Sequence, residues 1–102
     1  MYEFPLTGAQ KRHLRGLGQQ LSATLHLGKD GLTANFMAEM QNGLRAQELV
    51  KVRLHGLDRD ACDMACAQLA DEGRCVWIGR VGHTALFYRQ QPDPALRQIE
   101  LP

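Results

Sequence analysis

Leu14, Leu17 and Leu21 recur at spacings of three and four, the interval of one stripe along a helix. Just before them, Thr7-Gly8-Ala9-Gln10 has the T-x-x-Q form of a capping box, in which threonine oxygen and glutamine side chain satisfy the first free amides. The pattern predicts a first helix starting there and ending near Gly18 to Gln20, because Gly16 and Gly18 are poor interior helix residues. Lys11, Arg12 and Arg15 fall off the apolar stripe, so its outer side is basic.

"ATLHLG" then alternates, with Leu25 and Leu27 on one face and Thr24 and His26 on the other, the period of a half-buried strand. After Gly28-Lys29-Asp30-Gly31, Thr33 is an N-cap, and Phe36, Met37, Met40 and Leu44 carry a second helix to about Gln47. "ELVKVRLHG" alternates again. Val50, Val52 and Leu54 point inward, and Leu49, Lys51, Arg53 and His55 outward, which predicts a second strand with an open, basic face. Asp58 caps a third helix reaching Glu72 and ended by Gly73, with Ala61, Cys62, Ala65, Cys66 and Leu69 as its buried stripe. "CVWIG" and "HTALFYR" read as two strands joined by Gly79-Arg80-Val81-Gly82, and "QPDPALRQIELP" as an extended tail with three of the four prolines.

The order is therefore αβαβαββ: an α/β sandwich with one mixed, four-stranded sheet and helices against it. The first three strands are linked by helical crossovers and the last two by a hairpin. At 102 residues the chain fits one domain, 1–102, with a core of about 5–90 and the tail at 91–102. No apolar window approaches a membrane span and no signal-peptide pattern opens the chain, so a cytoplasmic protein is expected.

Charge changes the picture more than composition does. The net value is only +1, but residues 1–31 carry +2, residues 74–97 carry +3, and residues 58–73 carry −4. Basic ends and an acidic middle let the folded chain present one cationic and one anionic surface.

Catalytic and metal chemistry find little support. Cys62, Cys66, Cys75 and His83 fit no usual zinc spacing, and small thiols on an apolar stripe behave as hydrophobes, so reduced, buried cysteines and no metal are expected. No nucleophile, base and orienting acid group together, nor do paired carboxylates, so the chain reads as no enzyme and needs no cofactor. His13 adds a phosphate contact on the basic helix, while His26 and His55 read as polar-face residues of neighbouring strands.

The loop Gly28-Lys29-Asp30-Gly31 carries the functional signal. At a helix N-terminus the first amides lack intrahelical partners and the dipole favours an anion; glycines let a ligand approach that backbone without a Cβ in the way. Taken alone, a four-residue G-x-x-G is a weak signal whose plainer reading is a strand-to-helix turn. Combined with the basic helix it resembles the loop with which KH modules clamp a nucleotide backbone.

Together, "QKRHLRGLGQQL", "LHLGKDGLT", "ELVKVRL", "IGRVGHTALFYR" and the closing "IELP" resemble the YhbY-type single-domain proteins of the CRM family, the chloroplast RNA splicing and ribosome maturation domain. The resemblance covers essentially the whole chain. It implies a fold similar to the C-terminal domain of translation initiation factor three, and binding of structured RNA, with rRNA of the large-subunit precursor as partner in ribosome assembly. Carried over residue by residue, the G-x-x-G loop is Gly28, Lys29, Asp30 and Gly31, and the basic helix is Lys11, Arg12 and Arg15. Lys51 and Arg53 extend this RNA path across the open sheet face, and Arg80 and Arg89 extend it from the last strands. Asp30 makes the loop less cationic than a pure phosphate cradle. Aromatic residues are 6%, with Trp77, Phe87 and Tyr88 in core strands, so recognition of RNA shape and backbone is expected over base stacking. A monomer is expected. The competing reading is a protein-interaction module whose acidic third helix docks a ribosomal or other basic protein.

Overall fold

The computed structural model describes residues 2–102. Its elements are α1 (Gly8–Gln19), β1 (Leu25–Leu27), α2 (Ala34–Gln47), β2 (Leu49–Leu54), α3 (Arg59–Gly73), β3 (Val76–Val81) and β4 (Thr84–Tyr88), followed by a 3-10 turn at Pro94–Leu96. The strands form one mixed sheet in the order β1-β2-β4-β3, so the αβαβαββ sandwich read from the sequence is the observed architecture. β1 pairs parallel to β2, with Leu25 opposite Val52 and Leu27 opposite Leu54, while β4 lies antiparallel between β2 and β3. Among the described residues no helix is long and apolar enough to cross a membrane.

Local chemistry starts each helix where the pattern places it. The Thr7 hydroxyl accepts from the Gln10 amide at 3.1 Å and the Gln10 side chain accepts from the Thr7 amide at 3.0 Å, closing the capping box. Thr33 caps α2 through the Phe36 amide at 3.1 Å, and Asp58 caps α3 through the Ala61 amide at 2.8 Å.

The helices divide unequally over the sheet. α2 and α3 cover one face, where Leu27, Val52, Leu54 and Phe87 meet Met40, Leu44, Cys66 and Leu69 in the main core. α1 covers part of the other face, where Leu14 meets Leu49, Ile78, Leu86 and Tyr88. Alternation along β2 sends Val50 and Val52 to the first face and Leu49 and Lys51 to the second. The second face is thus only half open: α1 seals it over Leu49, which is 2% exposed, because that end of the strand offers a leucine rather than a charge.

Three local details differ from the sequence reading. The hairpin is tighter than Gly79 to Gly82: β3 runs on to Val81, and the turn is Gly82-His83, with positive φ (60°) on the glycine. A register shift between Trp77 and Gly79 puts Ile78 under α1 and turns Arg80 towards α3. α3 retains Gly73 as its last residue, and Arg74 takes the left-handed C-cap (φ 52°). Gly73 serves packing instead, since a Cβ there would lie 3.5 Å from the Met40 sulfur.

The tail is docked. Glu48, left-handed at φ 66° and 1% exposed, accepts from the amides of Gln91 (2.9 Å), Gln98 (2.6 Å) and Ile99 (2.9 Å). Three amides satisfy a buried carboxylate that water cannot reach. Ile99 and Leu101 then pack against the α1 cluster, and the Gln10 side chain reaches the Pro102 carbonyl at 3.1 Å.

Candidate nucleic-acid interface

The loop after β1 is built on one closed turn. The Gly31 amide donates to the Gly28 carbonyl at 3.1 Å, and the Thr33 amide donates to the Gly31 carbonyl at 3.0 Å. The amides of Lys29 and Asp30, and those of Ala34 and Asn35 at the start of α2, have no backbone partner among the described residues. The two glycines have separate roles. Gly31 needs its residue type for conformation, with φ at 70°, whereas Gly28 has no left-handed φ and a Cβ there would meet nothing within 4 Å. The fold itself therefore does not require a glycine at position 28. The Lys29 side chain is exposed and runs past Gly56 in the loop after β2, 3.9 Å from where a Cβ would stand.

Each predicted cation has a definite place. Arg12 and Arg15 are exposed on α1 and Lys11 is half-buried there, with Arg15 crossing β3 close to Gly79. Arg53 is exposed on the α1 side of the sheet, one strand position beyond the reach of that helix. Lys11, Arg12, Arg15, Lys29 and Arg53 have no ion pair among the described residues, where the one ion pair joins Arg80 to Asp63.

The remaining three cations are engaged by the protein itself. The Lys51 ammonium donates to the Gly18 carbonyl at 2.9 Å and the Leu21 carbonyl at 3.1 Å, satisfying the open C-terminal end of α1. The Arg80 guanidinium donates to Asp63 of α3 at 2.9 Å and to the Gly82 carbonyl, on the opposite side of the sheet from α1. Arg89 donates to Gln41 at 2.8 Å and to the Gly73 carbonyl at 3.1 Å, tying α2 and α3 to the end of β4. A path using all the basic residues is not what the fold assembles. Arg53 shares a face with α1, and Arg80 and Arg89 do not, because the bulge in β3 and the end of β4 turn them towards α3 and α2.

One feature of this region escaped the alternation pattern. Parallel pairing sets His26 opposite Arg53, and the His26 Nδ1 lies 2.8 Å from the His55 Nε2, one ring donating and the other accepting. The ring centroids are 5.1 Å apart with planes 22° from parallel, so the two rings lie side by side rather than face to face, and both are exposed. Alternation put each histidine on a polar strand face, but only the register brings them together.

Cys62, Cys66 and Cys75 are free and buried, and burial pushes the thiols of Cys66 and Cys75 up to about 12, so both are protonated and unreactive at neutral pH. His83 contacts the Leu57 carbonyl at 3.1 Å. Among the described residues no three histidine, cysteine or carboxylate side chains gather to hold a metal.

Comparison with known proteins agrees with this architecture. The chain is 32% identical over 97 residues to a protein of Haemophilus influenzae named RNA-binding protein, covering 95% of each. It is 33% identical over 85 residues to the chloroplastic CRS2-associated factor 2 of Oryza sativa, covering 83% of this chain and 14% of that longer one. The solution structure of the protein SAV1595 from Staphylococcus aureus superposes with a TM-score of 0.81 at 28% identity, covering 96% of this chain and 100% of that one. The family model for the CRS1 / YhbY (CRM) domain matches residues 6–89, and the chain belongs to that family.

Proposed function

We propose that this protein is a non-enzymatic RNA-binding protein of the cytoplasm that binds rRNA of the large-subunit precursor during ribosome assembly. The observation that carries the reading is a conjunction. A loop with free amides, glycine access and Lys29 borders the half of the sheet that α1 leaves bare, and the unpaired Arg53 and Arg15 border the same area. In this reading the loop amides donate to a phosphate oxygen, while Lys29, Arg53 and the α1 cations neutralise neighbouring phosphates and fix the orientation. Lys51 contributes by holding α1 in place rather than by touching RNA. The relative in Haemophilus influenzae, named for RNA binding, supports the same reading.

Fluorescence anisotropy with large-subunit rRNA fragments across a salt series tests it. The natural chain should bind with a steep negative salt slope. Lys29→Glu and Lys11→Ala/Arg12→Ala should weaken it while leaving the fold intact. Gly28→Ala is the sharper probe, since the fold has room for the methyl group and a bound backbone does not. Unchanged binding in all three variants would remove the loop and helix from the interface.

A second reading rests on α3. Met64 is 74% exposed between the exposed carboxylates of Asp60 and Asp71, and relatives in plants are named as associated factors of another protein. If bare RNA does not bind at any salt concentration, docking of a basic protein on this helix becomes the leading account.

A further inference from the structure

Beyond the end of α1 the sheet presents a continuous uncovered strip. It begins as a groove of about 510 Å³ between helix and hairpin, lined by Arg15, Gln19, Lys51, Ile78, Val81 and Thr84. Thr84 lies opposite Arg53 in the β2–β4 register, and Arg53 lies opposite His26 in the β1–β2 register. The strip therefore runs from the groove across Arg53 to the paired rings of His26 and His55 and ends at the loop carrying Lys29. None of these side chains is a carboxylate, and Asp30 is confined to the loop at the border.

Two exposed imidazoles on a sheet surface are unusual because nothing in the protein covers them. Their mutual hydrogen bond at 2.8 Å holds both rings in one orientation, which lowers the ordering cost for anything stacked on them. Aromatic faces beside a cation suit an unstacked nucleobase with its phosphate, and a paired, continuous helix offers no such base. Resting on the RNA-binding reading above, we propose that the His26–His55 pair is a stacking platform for an unpaired nucleotide of the bound RNA, with Arg53 on its phosphate. It would give a protein poor in surface aromatic side chains a means to choose bulged or looped RNA over uninterrupted duplex.

The test compares two RNA hairpins of identical stem, one fully paired and one with a single unpaired adenosine, by anisotropy at several salt concentrations. The natural chain is expected to favour the bulged hairpin by about ten-fold, the scale of one stacked base. His26→Ala/His55→Ala should lose that preference while keeping its salt-dependent affinity for the paired stem. His26→Phe/His55→Phe should restore it, since phenylalanine supplies a stacking face without the hydrogen bond or any charge. Upfield shifts of the His26 and His55 ring protons on adding the bulged hairpin to the natural chain would report the stacking directly. Equal binding of the two hairpins by the natural chain, or failure of the phenylalanine variant to restore the preference, overturns the platform alone. No binding of either hairpin overturns the RNA-binding reading and the platform with it.

Discussion

On the α2 and α3 side, the sheet is sealed along its strands: Leu27, Val52, Leu54 and Phe87 are each 2% exposed or less. On the α1 side the cover stops at Lys51, and two residues further along the neighbouring strands Arg53, His26 and His55 stand in solvent. The difference comes from lengths and positions. Two helices of 14 and 15 residues suffice for one face, while a single helix of 12 residues, lying over β2, β4 and β3, cannot also reach β1. The lesson is that a charge on the polar face of a strand becomes available or engaged according to what the third layer covers. Lys51 and Arg53 have the same alternation phase and opposite fates.

Substitutions that strike each side separately test this contrast. The largest effect belongs to the sealed face: Phe87→Ala, at a residue with 0% exposure, should cost about 3–5 kcal/mol in urea unfolding. The same face also sets the alkaline limit. Thiols ionise near 9.0 in the unfolded chain and only at about 12 for Cys66 and Cys75 in the fold, so the folded state holds more protons between those values. Stability is then complete below pH 9 and is lost as pH rises towards 12, which urea midpoints at pH 8 and pH 10 should register as a fall. Cys66→Ser/Cys75→Ser should flatten that fall.

On the α1 side, Glu48→Gln should destabilise by about 2 kcal/mol, because charge-assisted bonds from three amides become neutral ones. Faster amide hydrogen exchange at Gln98 and Ile99 would mark release of the tail, and unaltered exchange would deny Glu48 the clamp. Lys51→Met should cost about 1 kcal/mol by leaving the Gly18 and Leu21 carbonyls without their donor. Arg53→Met should change stability by less than about 0.5 kcal/mol and instead reduce the salt slope of RNA binding by about one. If Lys51→Met and Arg53→Met shift stability and binding in the same proportions, the division between engaged and available charges is wrong.

How far the chain announced this arrangement depends on the range of the interactions involved. Thr7, Thr33 and Asp58 act on amides three residues away, so the helix starts were legible from spacing alone. Other features are local in sequence but not in cause. The bulge beside Ile78 that swings Arg80 to Asp63 answers to packing under α1 and α3, and no pattern within "CVWIGRVG" carries it. Glu48 looks like a surface residue at a helix end until the tail supplies three donors from residues 91–99.

The elements, their order, the separation of basic ends from an acidic middle, the loop at Gly28 to Gly31 and the family resemblance are all written in the chain. These rest on periodicity, capping and motif spacing, all readable within a few residues. Which cations remain free, the anchoring of the tail by Glu48 and the meeting of His26 with His55 arise in the folded chain. Those outcomes depend on strand register and on how far one helix extends over a sheet, which are settled between residues tens of positions apart by burial of apolar surface and satisfaction of buried polar groups.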